Sequence, residues 1–244
     1  MLEDDALVEQ IRQIHEESRQ SYGYPRVHAA LQRKGVVCGR NRVARLMREN
    51  AIVGKKAKRF KKHAHRHQRM WGSKNLLLDR DVPTARNQVW VGDITFIRVG
   101  NQWNYLSVVM DRYSREIIGW SFNRNRSAEM VRESLLMAVA DNPVESGLIF
   151  HSDQGSEYAS RVYMDTLAQE GIEGSMSRKG HCWDNAHMES FFQSLKTEMV
   201  YFNHFKTLEE ATAYIMDYIR FYNNERLHSG IGYHPPVSYE RMVA

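Results

Sequence analysis

Two apolar, β-like stretches of this chain each carry a carboxylate, and that pairing narrows what the chain can fold into. Asp93 sits inside Val89-Trp90-Val91-Gly92-Asp93-Ile94-Thr95-Phe96-Ile97, and Asp153 ends Leu148-Ile149-Phe150-His151-Ser152-Asp153. A third acid, Glu189, lies 36 positions beyond Asp153, where the apolar period has become helical. Carboxylates in apolar elements are costly to bury unless paired, protonated or bound to metal. With 29 acidic residues among 244, spacing alone carries no weight; the setting of each acid does. Two strands and a helix presenting three carboxylates suggest a divalent-metal site for phosphodiester chemistry.

Asp93 shares strand parity with Val91, Thr95 and Ile97, while Trp90, Ile94 and Phe96 point the other way. Both faces are mostly apolar, as in a central strand covered on two sides. Asp153 precedes Gln154-Gly155-Ser156, a loop at the carboxyl end of its strand, where α/β sheets place their sites. Met188, Phe191, Phe192, Leu195 and Met199 form a helical stripe. Glu189 falls on its flank, about 100° from the stripe's centre, free to reach a sheet edge. Lys196 is seven residues on, sharing that flank about 10 Å along the axis, which suits a phosphate beside a scissile bond; a solvated surface lysine is the alternative. Asp184 reads as the cap of this helix, and Asn185 has no independent case.

Charge divides the chain. Residues 26 to 69 hold fifteen Lys or Arg and one acid, Glu49, a net of +14 that leaves −9 for the rest of a chain totalling +5. A basic N-terminal segment on an acidic body is the footprint of a nucleic-acid-binding arm joined to a catalytic domain. The 42% hydrophobic and 26% charged residues are ordinary for a soluble globular protein. The apolar runs are too short to span a membrane, and the acidic start, Met1 to Asp5, lacks a signal-peptide pattern. Two distant cysteines, Cys38 and Cys182, give no disulfide framework, as expected in a reducing cytosol.

The periodicity predicts a helix over residues 6 to 20, a second from Pro25 to Arg33, and a third from Asn41 to Glu49 that buries Val43, Leu46 and Met47. Such a trio suggests a helix-turn-helix module over residues 1–53, with Arg40, Arg42, Arg45 and Arg48 offered to DNA phosphates or a major groove. Residues 54–86 read as a basic linker. Its alternating His63, His65 and His67 lack a cysteine or carboxylate at ligand spacing. Residues 87–244 form the body. Strands are expected at 88–99, 103–111 and 116–122, then a helix capped by Ser127 and ending near Ala140. A strand at 148–151, a helix at 160–170, a short strand around Gly174 to Met176 and the helix of Glu189 follow. Three strands in meander followed by alternating helix and strand is the order of a ribonuclease-H-like α/β domain.

Three hard oxygen donors that leave coordination positions open suit magnesium or manganese rather than zinc or copper. Two such ions about 4 Å apart activate an attacking oxygen and stabilise a leaving one in an in-line displacement. Ser152 beside His151 lacks the Gly-x-Ser-x-Gly elbow of a hydrolase. No phosphate-binding glycine loop supports ATP use.

These motifs carry a resemblance. Tyr22-Gly-Tyr-Pro-Arg-Val-His28, Gly39-Arg-Asn-Arg-Val-Ala-Arg-Leu-Met47, Asn87-Gln-Val-Trp-Val-Gly-Asp-Ile-Thr95 and His151-Ser-Asp-Gln-Gly-Ser-Glu-Tyr158 are followed by Trp183-Asp-Asn-Ala186 with Glu189, then Tyr222-Asn-Asn-Glu-Arg-Leu-His228 with Pro235-Pro236. The chain resembles transposases of bacterial insertion sequences whose core is similar to retroviral integrase, and more narrowly the second-frame product of elements that make their full transposase by frameshifting. The resemblance implies an α/β fold, a ribonuclease-H-like integrase core with a mixed sheet flanked by helices, preceded by a small all-α helix-turn-helix module. It implies Asp93, Asp153 and Glu189 as the catalytic, metal-binding triad, with two magnesium or manganese ions. It implies cutting at element ends and joining of the freed 3′ hydroxyl to another phosphodiester, the first joining linking the two ends of one element on the way to a circle. Arg178, Lys179 and Lys196 would touch DNA, and the 222–240 tail would close the catalytic domain. The implied partners are double-stranded DNA of element ends and target, further copies of the chain on that DNA, and the first-frame product. The implied place is the bacterial cytoplasm, at the nucleoid when bound to DNA. Members of this family usually carry a further segment before the stretch that starts here at Ala6, so the expectation is either a shortened copy or a start at an internal methionine.

Two other readings compete. A structure-specific nuclease would use the same carboxylates with water alone, but needs no sequence-reading arm. A DNA-binding regulator of transposition would not need the three acids.

Overall fold

The apolar run around Asp93 becomes the central strand of a five-stranded mixed sheet. The computed structural model describes residues 3–55, 74–78, 80–178 and 185–243; His63, His65, His67, Lys179 and Asp184 lie outside the described residues. Strands β1 (Val89–Val99), β2 (Gln102–Asp111) and β3 (Ile117–Asn123) form an antiparallel meander. Strands β4 (Ile149–Ser152) and β5 (Glu173–Met176) add in parallel on the other side of β1, giving the order β3-β2-β1-β4-β5.

Strand parity divides the core into two layers. Val91, Ile97, Val99 and Leu106 face helices α6 (Ala186–Glu198) and α7 (Leu208–Asn224), burying Met188, Phe191, Leu195, Ile215 and Tyr222 with them. Trp90, Val109 and Phe150 face α4 (Ala128–Asp141) and α5 (Arg161–Gln169), with Val131, Leu135 and Tyr163. Helix α4 lies so close on β3 that a Cβ at Gly119 would run into the Ser134 carbonyl and Ala138. Ser127 and Ser160 cap α4 and α5 by accepting from the main-chain N–H three residues on.

Helices α1 (Asp4–Glu17), α2 (Tyr24–Arg33) and α3 (Arg40–Glu49) bury Leu7, Ile11, Ile14, Val27, Leu31, Val43, Leu46 and Met47 in a core of their own. Leu227, from the tail after α7, completes that core. Helix α1 ends three residues before its expected limit, because Arg19 and Gln20 turn into left-handed conformation (φ 57° and 58°) while the Gln20 N–H bonds the His15 carbonyl. Pro25 sits in the first turn of α2, as its fixed φ favours.

The sequence reading passed over α7. Thr207 caps it, and Ala211, Ile215, Tyr218, Ile219 and Tyr222 line its buried face. A last helix, α8 (Pro236–Val243), lies against α7. The described ends of the segment expected as a linker are held: Lys55 N–H bonds the Gln20 carbonyl at 3.0 Å and Leu76 N–H bonds Ser175 Oγ at 3.0 Å. Among the described residues no helix is long and apolar enough to cross a membrane.

Candidate active site

Parallel pairing sets the first two acids side by side. Val91 stands opposite His151, the last pair of the β1–β4 ladder. Two residues further along both chains the same register brings Asp93, midway along β1, beside Asp153, just past the end of β4, on neighbouring parallel segments about 4.8 Å apart. Gly92, just before Asp93, lies against the Phe150 ring, which a Cβ there would penetrate. Asp93 Oδ1 accepts from the Ile94 N–H at 2.7 Å, and Asp153 Oδ1 accepts from the Gly155 N–H at 2.9 Å.

The electrostatics follow from this crowding. Burial, then the Asp153 charge, push the Asp93 carboxyl from 3.8 up to about 7. Glu189 adds to the rise, which places the first turn of α6 within its electrostatic reach; the Ile94 N–H and Arg126 oppose it. Glu189 itself is exposed, and Asp93 and Asp153 are partly so. Helix α6 is tied to the strand by Asn185, whose Nδ2 donates to the Gly92 carbonyl at 3.1 Å. Among the described residues no three His, Cys, Asp or Glu side chains converge tightly enough to enclose one ion. The donors are nevertheless those of a hard divalent cation: carboxylates held by structure on the sheet, one driven toward protonation by burial and then by its neighbours. A cation there would relieve that repulsion.

Lys196 turns toward the same strand. Its Nζ stands 4.5 Å from the Phe96 ring centroid, and the Asp93 charge partly offsets the burial that lowers its pKa. Arg178 is exposed where the chain leaves β5. Of the four α3 arginines, two are engaged inside the module. Arg42 pairs with Asp4 at 2.6 Å, and Arg45 bridges Asp4 at 2.7 Å and Glu49 at 2.8 Å. Arg40 lies over the Tyr24 ring, and Arg48 is exposed.

The structure adds Arg126, which the sequence did not single out, and gives His151, met in the sequence only beside Ser152, a structural role. Arg126, in the β3–α4 connection, pairs with Glu157 at 2.8 Å beside Gly155 and Asp153. His151 is fully buried, its ring nitrogens 2.9 Å from Ser175 Oγ and 3.0 Å from Ser177 Oγ, stitching β4 to β5 beneath the aspartates. Neither carried a local sequence signal, since a single Arg before a helix cap and a His at a strand end are ordinary.

Comparisons with known proteins agree with this architecture. Residues 83–182 and 189–243 match two models described as integrase core domain, and residues 3–60 match one described as HTH-like domain. The transposase for insertion sequence element IS904 of Lactococcus lactis is 38% identical over 98% of this chain and 95% of its own length. Transposase InsF for insertion sequence IS3A of Escherichia coli is 37% identical over 91% of this chain and 78% of its own. Among solved structures, a chain of the simian T-cell lymphotropic virus intasome, determined in complex with PP2A regulatory subunit B56 gamma, shares the fold, with a TM-score of 0.55 at 16% identity over 94% of this chain and 74% of that one. Integrase-core and HTH-like matches in this order, with that identity over nearly the whole length, show that the chain belongs to the insertion-sequence transposases.

Proposed function

We propose that this transposase cuts at the ends of its element and joins the freed 3′ hydroxyl to another phosphodiester by direct attack, using Asp93, Asp153 and Glu189 as its metal-binding catalytic residues. The observation that carries the reading is the parallel pairing that ends at Val91 and His151, two residues before Asp93 and Asp153, with Asp153 and Glu189 both close enough to raise the Asp93 pKa. Two magnesium or manganese ions held there would supply activation of the attacking oxygen and charge stabilisation at the leaving one.

The chain's own residues do the positioning. Asp93 presents its oxygens from the middle of β1 and Asp153 from just past the end of β4, next to the ladder that joins the two strands, while Asn185 holds α6, and with it Glu189, against Gly92. Lys196 offers an ammonium beside the same strand, where it would steady a phosphate next to the scissile one. Arg178, where the chain leaves β5, would meet the same DNA, and so would Lys179, its neighbour in sequence. In the helical module, Arg40 and Arg48 are the α3 cations open to a duplex, and Arg42 and Arg45 would have to leave Asp4 to contribute. The partner is double-stranded DNA, both element end and target. Joining two ends of one element calls for more than one copy on the DNA, and the first-frame product is a further expected partner.

Strand transfer on labelled element-end DNA with magnesium, comparing the chain with Asp153→Asn, tests the reading. Joined products from the parent that vanish in the variant are expected. Cleaved but unjoined DNA would favour a nuclease that uses water alone. Binding without cleavage, equal in both proteins, would sink the catalytic assignment.

A further inference from the structure

Two of the motifs quoted above take no part in the site, and the structure brings them together. They are Tyr22-Gly-Tyr-Pro-Arg26, ahead of and within α2, and Tyr222-Asn-Asn-Glu-Arg226-Leu-His228, at the end of α7. Arg226 is only 2% exposed. Its Nε and Nη2 donate to the two oxygens of Glu198 at 2.8 and 2.6 Å, and Nη2 also donates to Ser194 Oγ at 3.0 Å. The Tyr218 hydroxyl donates to Glu198 at 2.9 Å. Glu198 and Ser194 belong to α6, the helix of Glu189 and Lys196.

The helical module reaches the same point from the other side. The Tyr22 hydroxyl accepts from the Leu227 N–H at 2.6 Å and lies 3.4 Å from the Glu225 carbonyl. Arg26 places its guanidinium over the Tyr22 ring and Nη1 at 3.9 Å from Glu198. Lys55 donates to the Glu198 main-chain carbonyl at 3.0 Å. Arg19 reinforces the junction with a pair to Asp217 at 2.6 Å and a stack on Phe221.

Such a buried ionic cluster is a poor source of net stability, because apolar residues of similar volume hold two surfaces together at least as well. What directional bonds add is register: they fix how far α6 slides or turns relative to the module, which apolar packing alone leaves looser. We propose that Tyr22, Arg26, Glu198 and Arg226 are positioning residues, a latch that holds the helical module and the DNA on it in register with the helix bearing Glu189. The inference rests on the DNA-joining function proposed above, and it explains why a module outside the catalytic core closes its own core with Leu227 from the tail. Coupling through the latch is reciprocal, so DNA held by the module also steadies α6.

The test uses the full chain and a duplex carrying an element end. Tyr22→Phe, Arg26→Ala and their combination border the cluster without leaving Glu198 and Arg226 unpaired; Tyr22→Phe does free the Leu227 N–H, a smaller loss than breaking the buried ion pair. Hydrogen exchange is measured in chelator with and without the duplex, and needs no catalysis. In the parent, the duplex slows exchange in both the module and residues 186–198. In the combined variant the module stays protected and α6 does not, while the melting temperature falls no further than in Tyr22→Phe alone, by the small amount that the freed Leu227 N–H costs. Strand transfer with magnesium falls about tenfold or more, with duplex affinity little changed, and Arg26→Lys recovers part of the loss.

Equal protection of α6 in parent and variant, or none in either, would overturn the latch. So would a variant whose module loses its own protection together with its melting temperature, since that is a structural role only. A parent that joins no ends would count against the proposed function alone, and the exchange pattern would still decide the latch.

Discussion

Asn185 donates to the main-chain carbonyl of Gly92 across 3.1 Å, pinning the start of α6 to the residue before Asp93. This bond joins the strand that carries one candidate ligand to the helix that carries another, so the gap between Asp93 and Glu189 depends on it. Asn185→Ala leaves a buried carbonyl without its donor, a cost of about 1–3 kcal/mol. Strand transfer is expected to fall by about tenfold or more, as for a small displacement of reacting groups, while duplex affinity stays near the parent's. Thermal melts, duplex binding and end-joining assays on the same preparation check this, and equal losses of binding and joining would contradict it.

Asp93 makes the metal-free protein sensitive to pH. Its carboxyl is raised in the fold to about 7 from 3.8, so the folded chain binds a proton that the unfolded chain has released across that interval. The stability that this group contributes is therefore full below pH 4 and lost as pH rises through about 7, with a slope of up to about 1.4 kcal/mol per pH unit. Asp93→Asn is expected to flatten the difference between melts at pH 5 and pH 8 in chelator, and to stand above the parent at pH 8. If Asp93 holds magnesium as proposed, the ion competes with the same proton, so its stabilising effect on the parent is expected to grow with pH up to about 7 and to be small in the variant. A variant with the parent's pH slope would show that Asp93 is not the group responsible.

Asp4 ties up two cations that α3 would otherwise present. Arg42 and Arg45 both pair with it, and these bonds hold its carboxyl below the usual range. Asp4→Asn removes the acid that both guanidinium groups share while Arg45 keeps its pair with Glu49, so binding to any duplex is expected to tighten modestly and to weaken more steeply with salt. Titrations of an element-end duplex and an unrelated duplex at two salt concentrations check this. A gain confined to the element end would mean instead that Asp4 shapes base recognition.

Much of this architecture was legible because it rests on local patterns. The apolar alternation around Asp93 read as a central strand, and it is one, with Trp90 and Val91 in opposite layers. Ser127 and Ser160 read as helix starts, and both side chains cap. Helix α7 was within reach, since Ala211, Ile215, Tyr218 and Tyr222 keep helical spacing, but it carries no chemistry and drew no notice. Asn185, Arg126 and the Arg226–Glu198 pair could not be read at all. Each acts across a gap of 28 or more residues, and no local period records which distant carbonyl or carboxylate a side chain will meet. The engagement of Arg42 and Arg45 with Asp4 was hidden for the same reason: a basic helix face looks alike whether its partner is a phosphate or a carboxylate 38 residues away.

Lys196 separates a DNA contact from a propped surface residue. Its ammonium stands over Phe96, itself 46% exposed, so the ring holds the charge near Asp93 without shielding it fully from an incoming phosphate. If it meets a phosphate, Lys196→Gln weakens binding to an element end alike at all sequences and lowers the slope of log affinity against log salt by about 1. Phe96→Leu keeps the ammonium but removes the ring that fixes it, so the salt slope is retained while strand transfer falls. The opposite pattern, with Lys196→Gln leaving the salt slope untouched and Phe96→Leu costing only stability, would make the pair a packing contact. Measuring affinity across salt for parent and both variants, with end joining at the lowest salt, decides between them.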